Sequence, residues 1–330
     1  MTCKFLPDKT GKKYFYADAS GAIYSNITQS PKYKNCHLIA ALSSLAWINN
    51  KFFNPSQNTG TCTYSFWDPD SSAAVPVKVN SNIFMDDGTG IWCCASSKLP
   101  ETWPAMYEKA FAKFCLYKIV RVLSAPDLNN SVVDPDFSKL PKGSDWGGNP
   151  VYVLRCLIGR AMRNFPYTTK SFNLDSAAIY AHIKALCVTA TMGKSSPLGI
   201  VNGAKLQYPM GAWTYIDAND AKTIAGIDIA YDNSSMVADH CYSILGIYEN
   251  NGSQYIVLRN PYGLVDADTA KYASGKGPWI YFEKRYQMGN FTADAAGKIV
   301  QLDFSPADGI FALDVKVFTR YFKGFGHITT

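Results

Sequence analysis

Cys36, His240 and Asn260 are the residues of this chain whose types and settings fit nucleophilic acyl transfer. A cysteine attacks a carbonyl as its thiolate, which a helix N-terminus and a neighbouring imidazole both favour. Cys36 begins a stretch in which Leu38, Ile39, Ala41, Leu42, Leu45, Ala46 and Ile48 recur at helical spacing. The spacing predicts a helix over 36–53 with one broad apolar face, Cys36 in its first turn and Asn35 as its N-cap. One cysteine opening one helix is also what an ordinary small core residue looks like. The thiol alone therefore decides nothing.

The imidazole and the amide come from a second pattern. Residues 238–248 and 254–263 are two β-rich runs joined by a turn that contains Asn251-Gly252, a strong hairpin signal. Folding about that turn sets opposite each other positions whose numbers total roughly 500 to 503. His240 and Asn260 then fall side by side at the open end of the hairpin. An amide that fixes an imidazole, with a thiol brought in on a separate helix, is the logic of a Cys-His-Asn triad. Gln29, seven residues before Cys36, is the candidate oxyanion donor beside the Cys36 backbone N–H. A structural histidine with a turn asparagine is the competing reading.

The elements that must position these groups are mixed in type. Cys62 to Trp67 and Val75 to Val79 read as strands of a hairpin or small sheet, and a further short strand is expected over 91–94. A helix follows, with Pro104 in its first turn and Trp103, Met106, Tyr107, Ala110, Phe111 and Phe114 on its apolar face, leaving Glu108 and Lys109 on the other side. The segment 134–150 is rich in Asp, Gly, Ser and Pro and has little periodicity, so it is the expected crossover between two parts, 1–145 and 146–330. Beyond it, 151–165 and 176–188 read as helical. From Leu198 the β-type runs dominate, down to a last one at 310–322. The expected class is α+β.

Composition narrows the function classes. At 330 residues, 47% hydrophobic, the chain has material for one large core or two medium ones. A formal net charge of +6 is scattered without a basic stripe, which argues against nucleic acid as a partner. The longest nearly apolar run, Leu38 to Trp47, is about half the roughly 20 residues a membrane span needs. The first residues carry no apolar signal core, while low charge and sequons at Asn26, Asn129, Asn233, Asn251 and Asn290 lean towards secretion, so the compartment stays open. Nine cysteines, an odd count with no C-x-x-C pair, leave at least one thiol outside any intramolecular bridge and do not support zinc.

The motifs also resemble those of calpain-like cysteine proteases, a branch of the papain-like superfamily. Asn35-Cys36-His37-Leu38-Ile39-Ala40-Ala41-Leu42-Ser43-Ser44-Leu45 is similar to that family's nucleophile helix, D-C-W-L-L-A-A-I-A-S-L. His240-Cys241-Tyr242-Ser243 resembles H-A-Y-S, and Arg259-Asn260-Pro261-Tyr262-Gly263 resembles R-N-P-W-G. Gln29 stands one residue further from the cysteine than the family's oxyanion glutamine. Trp103 to Lys113 resembles W-x-A-L-L-E-K-A-Y-A-K, and Asp308-Gly309-Ile310-Phe311 with Phe318 to Phe322 resembles the closing D-G-x-F…F-x-x-x-F. These two stretches have no catalytic role in the family. The chain departs from the pattern at His37 and Tyr262, both tryptophan in the family. His37 is read as a packing or rim residue, because helical neighbours point in different directions. Tyr262 retains an aromatic face with which to cover the His-Asn pair.

The resemblance implies a papain-like two-lobed fold, with a helical N-terminal lobe, a β-rich C-terminal lobe and the active site in the cleft between them. It implies a cysteine endopeptidase acting on protein or peptide substrates, with Cys36, His240, Asn260 and Gln29 as the site. No cofactor is required by the sequence. The resemblance raises calcium, but no EF-hand loop occurs, and the acidic pairs Asp86-Asp87, Asp217/Asp220 and Asp228/Asp232 read as turn residues. Two rivals are a transglutaminase-like acyl transferase, which ordinarily orients its histidine with an acid, and a catalytically inactive protease-like domain used for binding.

Overall fold

The computed structural model describes residues 3–6, 27–29, 35–49, 52–53, 55–58, 60–86, 94–96, 102–140, 148–188, 203–231, 236–250, 252–263, 279–280, 286–287, 291–292, 299–300, 303–304 and 309–329. They form a mixed α+β structure in two compact units, Met1–Met162 and Arg163–Thr329.

In the first unit, β1 (Cys3–Leu6) pairs antiparallel with β6 (Ile83–Asp86), and β2 (Ile27–Gln29) with β7 (Cys94–Ser96). Between them in sequence, β3 (Ser56–Asn58), β4 (Thr61–Trp67) and β5 (Ala74–Asn80) form an antiparallel sheet in that order. The expected strand over 91–94 lies mostly outside the described residues. Helix α1 (Cys36–Ile48) is buried on all sides from Cys36 to Ala46, Ser43 and Ser44 included, rather than along one face. A helix apolar all round belongs at the centre of a unit. It stops at Ile48, short of the expected Phe53, because Asn49 turns to an extended conformation.

Helix α2 (Trp103–Lys118) starts with Pro104 in its first turn, as its sequence predicts. Its Tyr107, Phe111 and Phe114 meet Tyr64 and Phe66 of β4 at ring distances of 4.7 to 5.5 Å. The polar face expected at Glu108 and Lys109 is not there. Both are buried, as is Lys113. Lys109 Nζ reaches Asn80 Oδ1 at 2.6 Å and Asp134 Oδ1 at 2.6 Å, and Lys113 Nζ donates to the carbonyls of Lys78 (2.9 Å) and Asn130 (2.7 Å). These partners satisfy the ammonium groups and fasten the helix to β5 and to the short α3 (Ala125–Asn129) with its following turn.

Helix α4 (Pro150–Ile158) lies beyond the compositional break at 134–150 yet packs on α1 and β4, so the units divide later than the break. Its expected continuation to Phe165 fails at Gly159, which takes φ +74° against the Trp67 ring, where no Cβ fits.

The second unit is built on a seven-stranded sheet. Its members are β8 (Met162–Phe165), β9 (Gly203–Thr214), β10 (Cys241–Asn250), β11 (Ser253–Arg259), β12 (Trp279–Ile280), β17 (Ile310–Asp314) and β18 (Phe322–Ile328), in the order β12-β17-β11-β10-β9-β18-β8. Two short ladders lie outside it, β13 (Tyr286–Gln287) with β16 (Asp303–Phe304) and β14 (Phe291–Thr292) with β15 (Ile299–Val300). The helices among its described residues are α5 (Thr168–Phe172), α6 (Ser176–Ala185), α7 (Ala218–Ala225) and α8 (Val315–Tyr321). α8 replaces the last half of the β run expected at 310–322. Asp314 accepts a hydrogen bond from the Lys316 N–H at 2.8 Å, which caps a helix where the β-branched residues alone suggest strand.

Candidate active site

The hairpin that carries the histidine follows its sequence. β10 and β11 are joined through Asn251 and Gly252, and Tyr248 pairs with Tyr255, Ile247 with Ile256. A bulge between Ile244 and Gly246 shifts the register by one, so that Ser243 faces Arg259. His240 immediately precedes β10 and Asn260 immediately follows β11. Both are buried, and His240 Nε2 lies 2.9 Å from Asn260 Oδ1.

The proton positions follow from the network. The backbone N–H of Tyr262 donates to Asn260 Oδ1 at 3.0 Å. A backbone N–H requires an acceptor, which fixes that amide atom as oxygen. Nε2 must then be the protonated ring nitrogen, and in neutral His240 Nδ1 carries the basic lone pair. The Tyr262 ring stacks on the imidazole at 4.7 Å with an interplanar angle of 18°, and Tyr242 stands edge-on to it at 5.0 Å. The ring is therefore held in its plane and shielded on one face.

Thr214, Asp239 and Gly309 support this pair. Thr214, the last residue of β9, gives its N–H to the His240 carbonyl at 2.9 Å, and its hydroxyl accepts the His240 N–H at 3.1 Å. The same hydroxyl lies 2.8 Å from the Val237 carbonyl, so one side chain clamps both ends of the turn before His240. Asp239 enters that turn at φ +50°, a region Asp tolerates better than most residues. Gly309 takes the Asn260 N–H on its carbonyl at 2.8 Å, and a Cβ at Gly309 would lie 2.6 Å from the Asn260 oxygen. Gly309 of the Asp308-Gly309 motif thus touches the backbone of a candidate site residue. Threonine ending a strand carries no signal for such a role; the glycine beside a strand start did, since it marks a close backbone approach.

Cys36 and Gln29 belong to the first unit, His240 and Asn260 to the second. Cys36 is the first residue of α1, and Gln29 closes β2, which packs against α1. Both are buried, and so is His37, in keeping with a packing role. Asn35 holds the N-cap position, and its carbonyl accepts from the N–H groups of Leu38 (3.0 Å) and Ile39 (3.1 Å). Its side chain, however, does not cap the helix as expected. It donates instead to Glu108 Oε1 of α2, a buried carboxyl that outcompetes the cap.

Calcium finds no cage among the described acidic residues. Asp217 caps α7 by accepting from Asp220 N at 2.7 Å, Asp220 takes Lys323 at 3.2 Å, and Asp228 pairs with Lys222 at 2.7 Å. Asp87 and Asp232 lie outside the described residues. Among those described, no three His, Cys, Asp or Glu side chains gather as metal ligands, and no helix is long and apolar enough to cross a membrane. Cys36, Cys62, Cys115, Cys156, Cys187 and Cys241 are not in disulfides. Compared with protein-family models and with curated proteins, the chain matches none.

Proposed function

We propose that this protein is a papain-like cysteine endopeptidase of the calpain type, its two units serving as the two lobes. The observation that supports the reading best is the buried His240–Asn260 pair at 2.9 Å beneath Tyr262. A histidine kept only for packing has no need of an amide that fixes its tautomer and an aromatic ring laid over it. The motif that offers the thiol, Cys36 at the first turn of α1, supplies the helix-terminus field that favours thiolate.

In the proposed reaction Cys36 Sγ gives its proton to His240 Nδ1 and attacks the peptide carbonyl carbon. The negative oxygen is stabilised by the Cys36 N–H and the Gln29 carboxamide. Imidazolium His240 then protonates the leaving amine as the C–N bond breaks, leaving a thioester. Water, deprotonated by the same nitrogen, attacks the thioester and releases the acid. Asn260 keeps Nε2–H occupied, so the basic nitrogen remains Nδ1. The reading requires Cys36 Sγ to come within hydrogen-bond reach of Nδ1. No step passes through a metal ion.

The test is cleavage of casein by the wild type and by Cys36→Ala, each with a chelator and with added calcium. Turnover should fall by about a thousandfold or more in Cys36→Ala. Cleavage that survives this substitution sinks the mechanism. Absence of cleavage by the wild type, with no labelling of Cys36 by a thiol-directed affinity probe, favours the inactive binding domain.

A further inference from the structure

We infer that Glu108, as a neutral carboxylic acid, is a positioning residue that acts through Asn35 to hold the segment bearing Cys36. Glu108 Oε1 accepts the Asn35 Nδ2–H, while Glu108 Oε2 and Asn35 Oδ1 are both buried with no hydrogen-bond partner. A carboxylate and an amide oxygen are both acceptors and cannot satisfy one another. A proton on Oε2 resolves this, because the O–H and carbonyl of an acid match the carbonyl and one N–H of a primary amide as a two-bond pair. The consequence passes to the thiol because Asn35 is the residue whose carbonyl opens α1 one position before Cys36.

The surroundings favour the protonated form. Glu108 is fully buried, and its burial pushes the carboxyl up to about 8, against the opposing effect of the Asn35 hydrogen bond. The cations of its own helix are turned elsewhere: Lys109 to Asn80 and Asp134, Lys113 to the Lys78 and Asn130 carbonyls, Lys118 to Asp68. α2 also carries Tyr107 and Cys115. The elements packed against α2 carry Cys62 and Tyr64 on β4, Lys78 on β5, Asp86 on β6, Cys94 on β7 and Asp127 on α3; α1, which Glu108 meets through Asn35, carries Cys36 and His37. Lys78 and Asp127 are the charged ones among the described side chains of those neighbours, and neither forms an ion pair with Glu108.

Because the folded value lies above the ordinary 4.5, the folded chain binds this proton more tightly than the unfolded chain does. The stability that the proton supplies is complete below 4.5 and is lost as pH rises through about 8. Glu108→Gln keeps an acceptor and a donor in place of the acid and cannot ionise. Its behaviour should be that of the acid form at every pH.

The link from this pair to turnover rests on the protease reading, whereas the pair itself does not. Alkylation of Cys36 by iodoacetamide, followed by mass spectrometry of its peptide, reads both in the full chain. The wild type, Glu108→Gln and Glu108→Leu are compared from about pH 6 to about pH 10, with Tm measured at each point. The wild-type rate divided by the Glu108→Gln rate should be near one at the acid end and change several-fold across about pH 8, while the Tm of the wild type drops below that of Glu108→Gln. Glu108→Leu should differ from both at every pH. A flat ratio and a constant Tm difference overturn the inference, and so does Glu108→Gln behaving like Glu108→Leu. If the ratio titrates but casein is not cut by the wild type, the protease reading fails and the positioning role stands. If casein is cut and the ratio is flat, only the positioning role fails.

Discussion

Asn260 is a small residue with three duties: it holds His240 Nε2, it accepts the Tyr262 N–H, and its own N–H is anchored on Gly309. Asn260→Ala removes the first two. The imidazole is then free to swap tautomer and to tilt by about an ångström, a displacement that costs on the order of a hundredfold in rate. Under the protease reading, kcat on casein should fall by about that factor, with KM little changed, in steady-state assays of the purified variant. A loss confined to KM would mean that Asn260 serves substrate binding instead. The pairing of His240 with Asn260 was legible in the sequence because hairpin register is fixed by turn length, and the Asn-Gly turn announced it. The tautomer was not legible, since it depends on which amide atom the Tyr262 N–H meets.

At the level of elements, the hairpin orients the His240 ring through Asn260, and the end of β9 holds the His240 backbone. Thr214→Val keeps the shape and removes the hydroxyl, leaving the buried His240 N–H without its acceptor. The cost should be about 1 to 3 kcal/mol in urea unfolding, with a several-fold fall in kcat. A fall in stability with kcat unchanged would mean that Thr214 supports the sheet alone. α2 teaches the opposite lesson about sequence. Glu108, Lys109 and Lys113 read as a solvated face because charged side chains are seldom buried. Here the helix lies against strands and turns that offer Asn80, Asp134 and the carbonyls of Lys78 and Asn130, and tertiary partners override the pattern. α8 was missed for a related reason: Val315, Val317 and Phe318 favour strand locally, and only the Asp314 cap and the packing of the helix on α6 and β11 decide otherwise.

For the whole molecule, two compact units predict two unfolding transitions, each sensitive to its own contacts. Gly309→Ala places a Cβ 2.6 Å from the Asn260 oxygen at φ +76° and should cost about 1 to 3 kcal/mol. In scanning calorimetry it should lower one transition, and Glu108→Leu the other. A single transition displaced by both substitutions would show that the units melt as one. The division into two parts was visible in composition, as the stretch 134–150. Its place was not, because α4 follows that stretch in the chain but finds its apolar partners on α1 and β4.

The contact between Asn260 and Gly309 also has a meaning in time. Synthesis runs from the N-terminus, so a growing chain contains Cys36, His240 and Asn260 well before it contains the carbonyl that anchors Asn260. A nascent chain that has not yet reached Gly309 holds every residue proposed for chemistry with its orienting amide unmoored. Under the protease reading, completion of β17 is the moment at which the enzyme becomes dangerous to its neighbours.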